Sequence, residues 1–141
     1  MDERRKQAFM NRASREPFSN ILGIRLVDVR EGYAVCEMEY TERLDNIHEI
    51  AHGGAIFSLI DEAFEISSNT HGTTALALNM NVTFVRMALK NSILRAESTE
   101  TNKGRRTATY YITVHDSEGL VAICQALVYR KSDEIAWLQN T

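Results

Sequence analysis

The chain has 141 residues, of which 44% are hydrophobic and 25% charged, and a formal net charge of −3. This is the composition of a globular protein long enough to bury one core without staples. The negative charge argues against a general nucleic-acid binder, and no apolar run approaches the roughly 20 residues that span a bilayer.

Met1 to Lys6 lead into no apolar segment, so no secretory signal is expected and a cytoplasmic location is. A charged N-terminal helix is expected over residues 3–16. It is polar except for Ala8, Phe9 and Ala13, which suggests a surface position, and the single proline, Pro17, would end it. A strand pair follows over 24–30 and 33–40, around a turn at Glu31-Gly32. In its second strand Cys36, Met38 and Tyr40 alternate with Glu37 and Glu39, so one face is buried and one is wet. Residues 41–52 read as a loop. A helix runs over 53–69 and closes at His71-Gly72. Four strands then span about 75–86, 92–102, 107–116 and 119–130. Turns at Lys103-Gly104 and Ser117-Glu118-Gly119 join the last three into hairpins. One long apolar helix with an antiparallel meander is an α+β layout. Cys36 and Cys124, the only cysteines, are expected as reduced core thiols. No cysteine pair has zinc spacing, and His48 and His52 are not taken as a metal pair, so no metal site is expected.

The chemistry concentrates where the loop meets the long helix. His52-Gly53-Gly54 opens it, and a Gly-Gly pair lets a ligand approach the backbone closely. The free N–H groups of that first turn favour negative charge. Asp61 lies in the same helix among Ile56, Leu59, Ile60, Ala63 and Phe64, where an acid is expensive unless it has a role or a partner. Oxyanion donors and a carboxylate are the two parts needed to hydrolyse an acyl group. Glu62 and Glu65 fall on the polar side of the helix and are expected in solvent. Asp61 stands seven residues after Gly54, on the same face but about 10 Å along the axis. One carbon cannot easily meet both, whereas two antiparallel copies packed about 8–10 Å apart could bring them together. The spacing suggests a site shared across a two-fold dimer.

Asn46, His52-Gly53-Gly54 and Asp61, followed by the strand Leu78 to Phe84 and the turn Lys103 to Thr107, resemble the hotdog-fold acyl-CoA thioesterases of the PaaI-like, phenylacetate-pathway branch. The resemblance covers about residues 22–130. It implies one hotdog domain over 1–141, with a curved antiparallel sheet wrapped around one long central helix and an extra N-terminal helix over 1–18. It implies hydrolysis of an acyl-CoA to free acid and coenzyme A, with Asp61 as base or nucleophile and the Gly53 N–H as the main oxyanion donor. Asn46 and His52 would line the thioester, the histidine chiefly orienting its loop. Gly54, Asn81, Thr83, Lys103, Gly104, Arg105 and Arg106 would contact the coenzyme A portion. No cofactor is expected, and the assembly would be a homodimer paired again into a tetramer. Two departures appear: Arg86-Met87-Ala88 replaces a common Arg-Pro-Ala, and Ala77 stands where some members carry a water-assisting serine. Phe57, Phe64 and Phe84 read as acyl-pocket lining or as plain core. Two alternatives share the fold: a non-catalytic acyl-CoA sensor, which would have no need of Asp61, and a hydratase or dehydratase, whose His and acid fall at other spacings.

Overall fold

The computed structural model describes residues 1–139. Its elements are helices α1 (Glu3–Ala13) and α2 (Pro17–Leu22), strands β1 (Arg25–Arg30) and β2 (Tyr33–Glu39), the long helix α3 (Gly53–Asn69), strands β3 (Thr73–Phe84), β4 (Ile93–Lys103), β5 (Thr107–Asp116) and β6 (Gly119–Glu134), and a short helix α4 (Ala136–Gln139). The six strands form one antiparallel sheet in the order β1-β2-β4-β5-β6-β3. No described helix is long and apolar enough to cross a membrane.

The sheet wraps α3. Leu59, Ile60 and Ala63 on the helix are fully buried, as are Cys36, Leu94, Ile112, Val114 and Cys124 on the strands. Side chains tie the layers together. Ser67 Oγ lies 2.7 Å from Ser98 Oγ, the Phe64 and Tyr110 rings meet edge to face at 5.5 Å, and Thr70 Oγ1 accepts the Gly32 N–H at 2.8 Å. Gly32 has φ 68, the left-handed conformation that the β1–β2 turn requires. Past β3, Arg86 reaches the buried Asp116 at 2.5 Å, and Asp116 also accepts the Leu89 N–H at 2.8 Å. These contacts pin the Arg86-Met87-Ala88 segment without a proline. Burial pushes the Asp116 carboxyl up, but the Arg86 bond and two backbone N–H groups outweigh it and hold it down at about 2.

The N-terminus differs from expectation. Pro17 does not end a helix; it occupies the first turn of α2, where a missing N–H costs nothing. α1 stops at Ala13, and the Ser14 N–H closes it on Met10. Nor is α1 a loose surface helix. Phe9 is buried beneath Trp137 of α4, with ring centroids 5.0 Å apart, and Lys6 bonds Asp28 of β1 at 2.8 Å. The sequence pattern gives no sign of α4, so Phe9 has no visible partner there.

A second difference concerns the acids of α3. Glu62, expected in solvent, is only 5% exposed. The α1–α2 junction lies over that side of the helix and brings in Glu16. The Glu16, Glu62 and Glu65 carboxylate oxygens all lie within 4.8 Å of one another. Glu65 stands exposed at the rim of this group. Burial, then the charges of Glu16 and Glu65, push the Glu62 carboxyl well above its usual range, so it holds a proton at neutral pH. An unfolded glutamate gives that proton up near pH 4.5. The folded state therefore binds the extra proton, and the stabilisation contributed by this group is fully present below that pH and is lost as pH rises through its raised pKa. Glu62→Gln should flatten this decline in urea unfolding measured between pH 5 and pH 9. Parallel slopes in parent and variant would mean that Glu62 ionises freely.

Candidate active site

The loop before α3 is folded on itself by Asn46. Its Oδ1 accepts the His48 N–H at 2.8 Å and the Ile50 N–H at 3.4 Å, an Asx turn. Its own N–H bonds Ile50 O at 2.8 Å, and Glu49 takes φ 59 to complete the bend. Both Oδ1 bonds are thus spent on the loop, and Nδ2 remains as the donor.

His52 caps α3. Its Nδ1 accepts the Gly54 N–H at 2.9 Å, so a neutral imidazole carries its proton on Nε2. A Cβ on Gly54 would stand 3.1 Å from that Nδ1. This contact explains the second glycine. The Gly53 N–H, by contrast, has no acceptor among the described residues. Phe84 closes over Gly53, where a Cβ would meet the ring at 3.2 Å. What approaches the two backbones is thus His52 and Phe84. No acid occupies the first turn of α3, so the positive end of its dipole is not neutralised.

His48-Glu49-Ile50-Ala51-His52 does spell H-E-x-x-H, with Glu49 in the register where no acid was expected. That motif binds zinc from a helix face. Here it lies on the Asx-turn loop, and one His52 nitrogen is occupied as the cap.

Asp61 lies two turns further along α3, half-buried. It borders a cavity of about 270 Å³ with Phe64, Ala75, Leu76 and Ala77 among its walls. No donor among the described residues bonds its carboxylate. Burial, then the charge of Glu16, raises its pKa. Gly53 and Asp61 are eight residues apart, about 12 Å along the helix, so one chain does not bring them to a single carbon.

The remaining site candidates scatter. Asn81 and Thr83 pair across the ladder with Gln125 and Ile123 and stand exposed, while Met80 and Val82 between them pack toward the core. They occupy the outer face of the sheet, away from α3. Asn81 Nδ2 donates to Asn79 Oδ1 at 2.7 Å. Lys103, Gly104, Arg105 and Arg106 form the β4–β5 turn. There Arg130 Nη1 donates to Gly104 O at 2.7 Å and the Arg130 N–H to Arg106 O at 2.7 Å. Lys103 Nζ approaches His71 at 3.4 Å, which puts this basic turn at the opposite end of α3 from Gly53. Of the phenylalanines, Phe64 is core, whereas Phe57 and Phe84 are exposed.

This arrangement has relatives. The thioesterase superfamily profile matches residues 48–123. A protein of Archaeoglobus fulgidus is 39% identical over 115 residues, covering 81% of this chain and 75% of its own. The acyl-coenzyme A thioesterase PaaI of Escherichia coli K12 is 33% identical over 110 residues, covering 77% and 79%. The solved structure of E. coli PaaI, from the phenylacetic acid degradation operon, superposes with a TM-score of 0.88 over 94% of this chain and 97% of its own at 28% identity. A structure from Thermus thermophilus gives 0.80 over 83% and 99% at 36% identity. The chain belongs to the thioesterase superfamily, in its PaaI-like branch, and is a thioester hydrolase of the hotdog fold.

Proposed function

We propose that this protein hydrolyses an acyl-CoA to a free acid and coenzyme A, with Asp61 as the base or nucleophile and the Gly53 N–H as oxyanion donor. The observation that carries this reading is Asp61 itself. A half-buried carboxylate with no hydrogen-bond donor beside a cavity is costly, and it serves no structural purpose visible here. The unclaimed Gly53 N–H supplies the complementary part. In either route the ionised Asp61 acts first, taking a proton from water or attacking the thioester carbonyl carbon. The carbonyl oxygen becomes an oxyanion facing Gly53 and the N-terminus of α3. Collapse breaks the carbon–sulfur bond and expels the coenzyme A thiolate. By the water route this leaves the free acid, and the thiolate takes up the proton that Asp61 removed. By direct attack it leaves an Asp61 acyl anhydride, which a water then hydrolyses to the free acid and regenerated Asp61, the water's proton passing to the thiolate. In this reading Asn46 Nδ2 donates to the carbonyl or the water, and His52 keeps the Gly54 N–H aligned. The basic turn at Lys103, Arg105 and Arg106 suits phosphate groups. These parts call for no metal or redox cofactor. The E. coli relative is named for this reaction. A binding-only acyl-CoA sensor would have no use for Asp61.

The 12 Å gap asks for a second chain. β3 is an edge strand of 12 residues with an unpaired backbone on one side. Leu76, Leu78 and Phe84 on it, and Val85 and Met87 just after it, are each at least half exposed. Such an edge invites pairing. An antiparallel strand meeting its own copy is self-complementary about a two-fold axis. We read β3 against β3 as the dimer contact, with α3 of each copy running past its partner and Gly53 of one facing Asp61 of the other.

Asp61→Asn should fold normally, keep substrate affinity and lose at least about a hundredfold in kcat, because Asn neither takes a proton nor attacks as an anion. Retention of more than a tenth of parental kcat, measured by thiol release, would remove Asp61 from this role.

Asn46→Ala and Asp61→Ala should each give a nearly inactive homodimer. A mixed dimer collects both defects at one site and leaves the other intact. Random exchange makes half the dimers mixed, each with one good site of two, so up to about a quarter of parental activity should return. Chains shown by mass spectrometry to have exchanged without any such recovery would place the whole site on one chain.

A further inference from the structure

The cavity beside Asp61 has a neighbour. A second space of about 540 Å³ lies between the α1–α2 junction, the latter half of α3 and the C-terminal segment. Glu65, Ala75 and Leu76 line both spaces, so the two adjoin at a neck formed by these residues. Along α3, Asp61 borders the first space, Glu65 both and Asn69 the second, one residue per turn on one face. The eight residues from Asp61 to Asn69 span about 12 Å. We propose that this groove receives the acyl chain of the substrate, and that it favours an uncharged, unbranched chain of up to about ten carbons, since a zigzag of bonds near 1.5 Å advances about 1.25 Å per bond and about ten carbons reach about 12 Å. The inference rests on the role proposed for Asp61, since a reacting carbonyl beside that carboxylate has its acyl chain pointing into the neck.

The walls decide the class of chain. The far space is closed by Phe9, Ile66 and Ile135, all buried, and by the half-buried Trp137. A two-carbon acyl group would stop short of these walls. Each further methylene buried should raise kcat/KM by up to about fourfold. The neck is acidic, because Glu65 lines it and Glu16 stands beside it. A chain ending in a carboxylate must therefore pass like charge. Arg12 and Arg15 also border the far space, but both are exposed on the solvent side, and the Arg12 guanidinium lies 5.8 Å over the Trp137 ring. Phe9 and Trp137 fall outside residues 48–123, the span shared with the superfamily. Phe9, Ile135 and Trp137, three of the four apolar residues of the far wall, thus come from outside that span.

The test uses the full-length protein and CoA esters of acetate, butyrate, octanoate, decanoate and octanedioate, with two variants at the far wall. Ala13→Phe fills the space and Trp137→Ala opens it. In the parent, kcat/KM should climb from acetyl to octanoyl by at least tenfold, and the octanedioyl ester should trail octanoyl by at least tenfold. Each variant, with its thermal midpoint checked, should lose at least tenfold on octanoyl-CoA and stay within twofold on butyryl-CoA. A flat chain-length profile in the parent, a preferred octanedioyl ester, or octanoyl turnover unchanged in either folded variant overturns the inference while leaving the hydrolase reading intact. Failure of the parent to cleave any CoA ester overturns both.

Discussion

Enclosing α3 in the sheet is the constraint on which the rest of this structure depends. Ten of its 17 residues are buried, so the helix cannot slide or rotate without exposing them. That rigidity fixes two polar features that an enclosed helix cannot hide. Its first turn must leave N–H groups for something other than backbone, and here His52 takes the one at Gly54 while Gly53 keeps its own. Asp61 must emerge where the sheet stops covering the helix, at the start of β3. The two groups are therefore held rigidly relative to one another at a distance too great for a single thioester.

The edge strand resolves the same geometry from outside. A sheet that closed on itself would have no edge, but would also hide the open side of α3. β3 instead pairs only with β6, leaves its outer edge unpaired and carries large apolar side chains at Leu76, Leu78 and Phe84. Exposed strand edges are usually blunted by charge or proline. From Leu76 through Val85 this strand has neither. The proposed β3–β3 pairing would cover this edge.

Much of this was legible in the sequence. α3 runs over the residues expected, because Gly53-Gly54 and a sustained 3.6-residue apolar period leave little choice. The hairpins fall where their turn residues put them, since turns are local chemistry. What stayed hidden was contact between distant segments. The position of Glu62 on the helical wheel says only that it avoids the sheet. That the α1–α2 junction covers it is a tertiary fact. Pro17 is equally suited to ending one helix or starting another, and which it does depends on α2 packing against α3. Phe9 looks stray because its partner, Trp137, lies more than a hundred positions away. The outward direction of Asn81 and Thr83 was a question of register, and a one-residue slip in β3 would have reversed it.

The acids beside the site follow from these same contacts. Three carboxyl groups within 4.8 Å cannot all be charged in a place as enclosed as Glu62. A proton held by Glu62 removes one like charge from the turn next to Asp61. Asp61 is itself pushed up by burial and by Glu16, and a second full charge one residue away would push it further. With Glu62 neutral, Asp61 faces one like charge fewer from its own helix. This arrangement needs the N-terminal arm in place, because Glu16 comes from the α1–α2 junction and the cover over Glu62 comes with it. Glu16, far from Asp61 in sequence, thus adds to the burial that raises the Asp61 pKa.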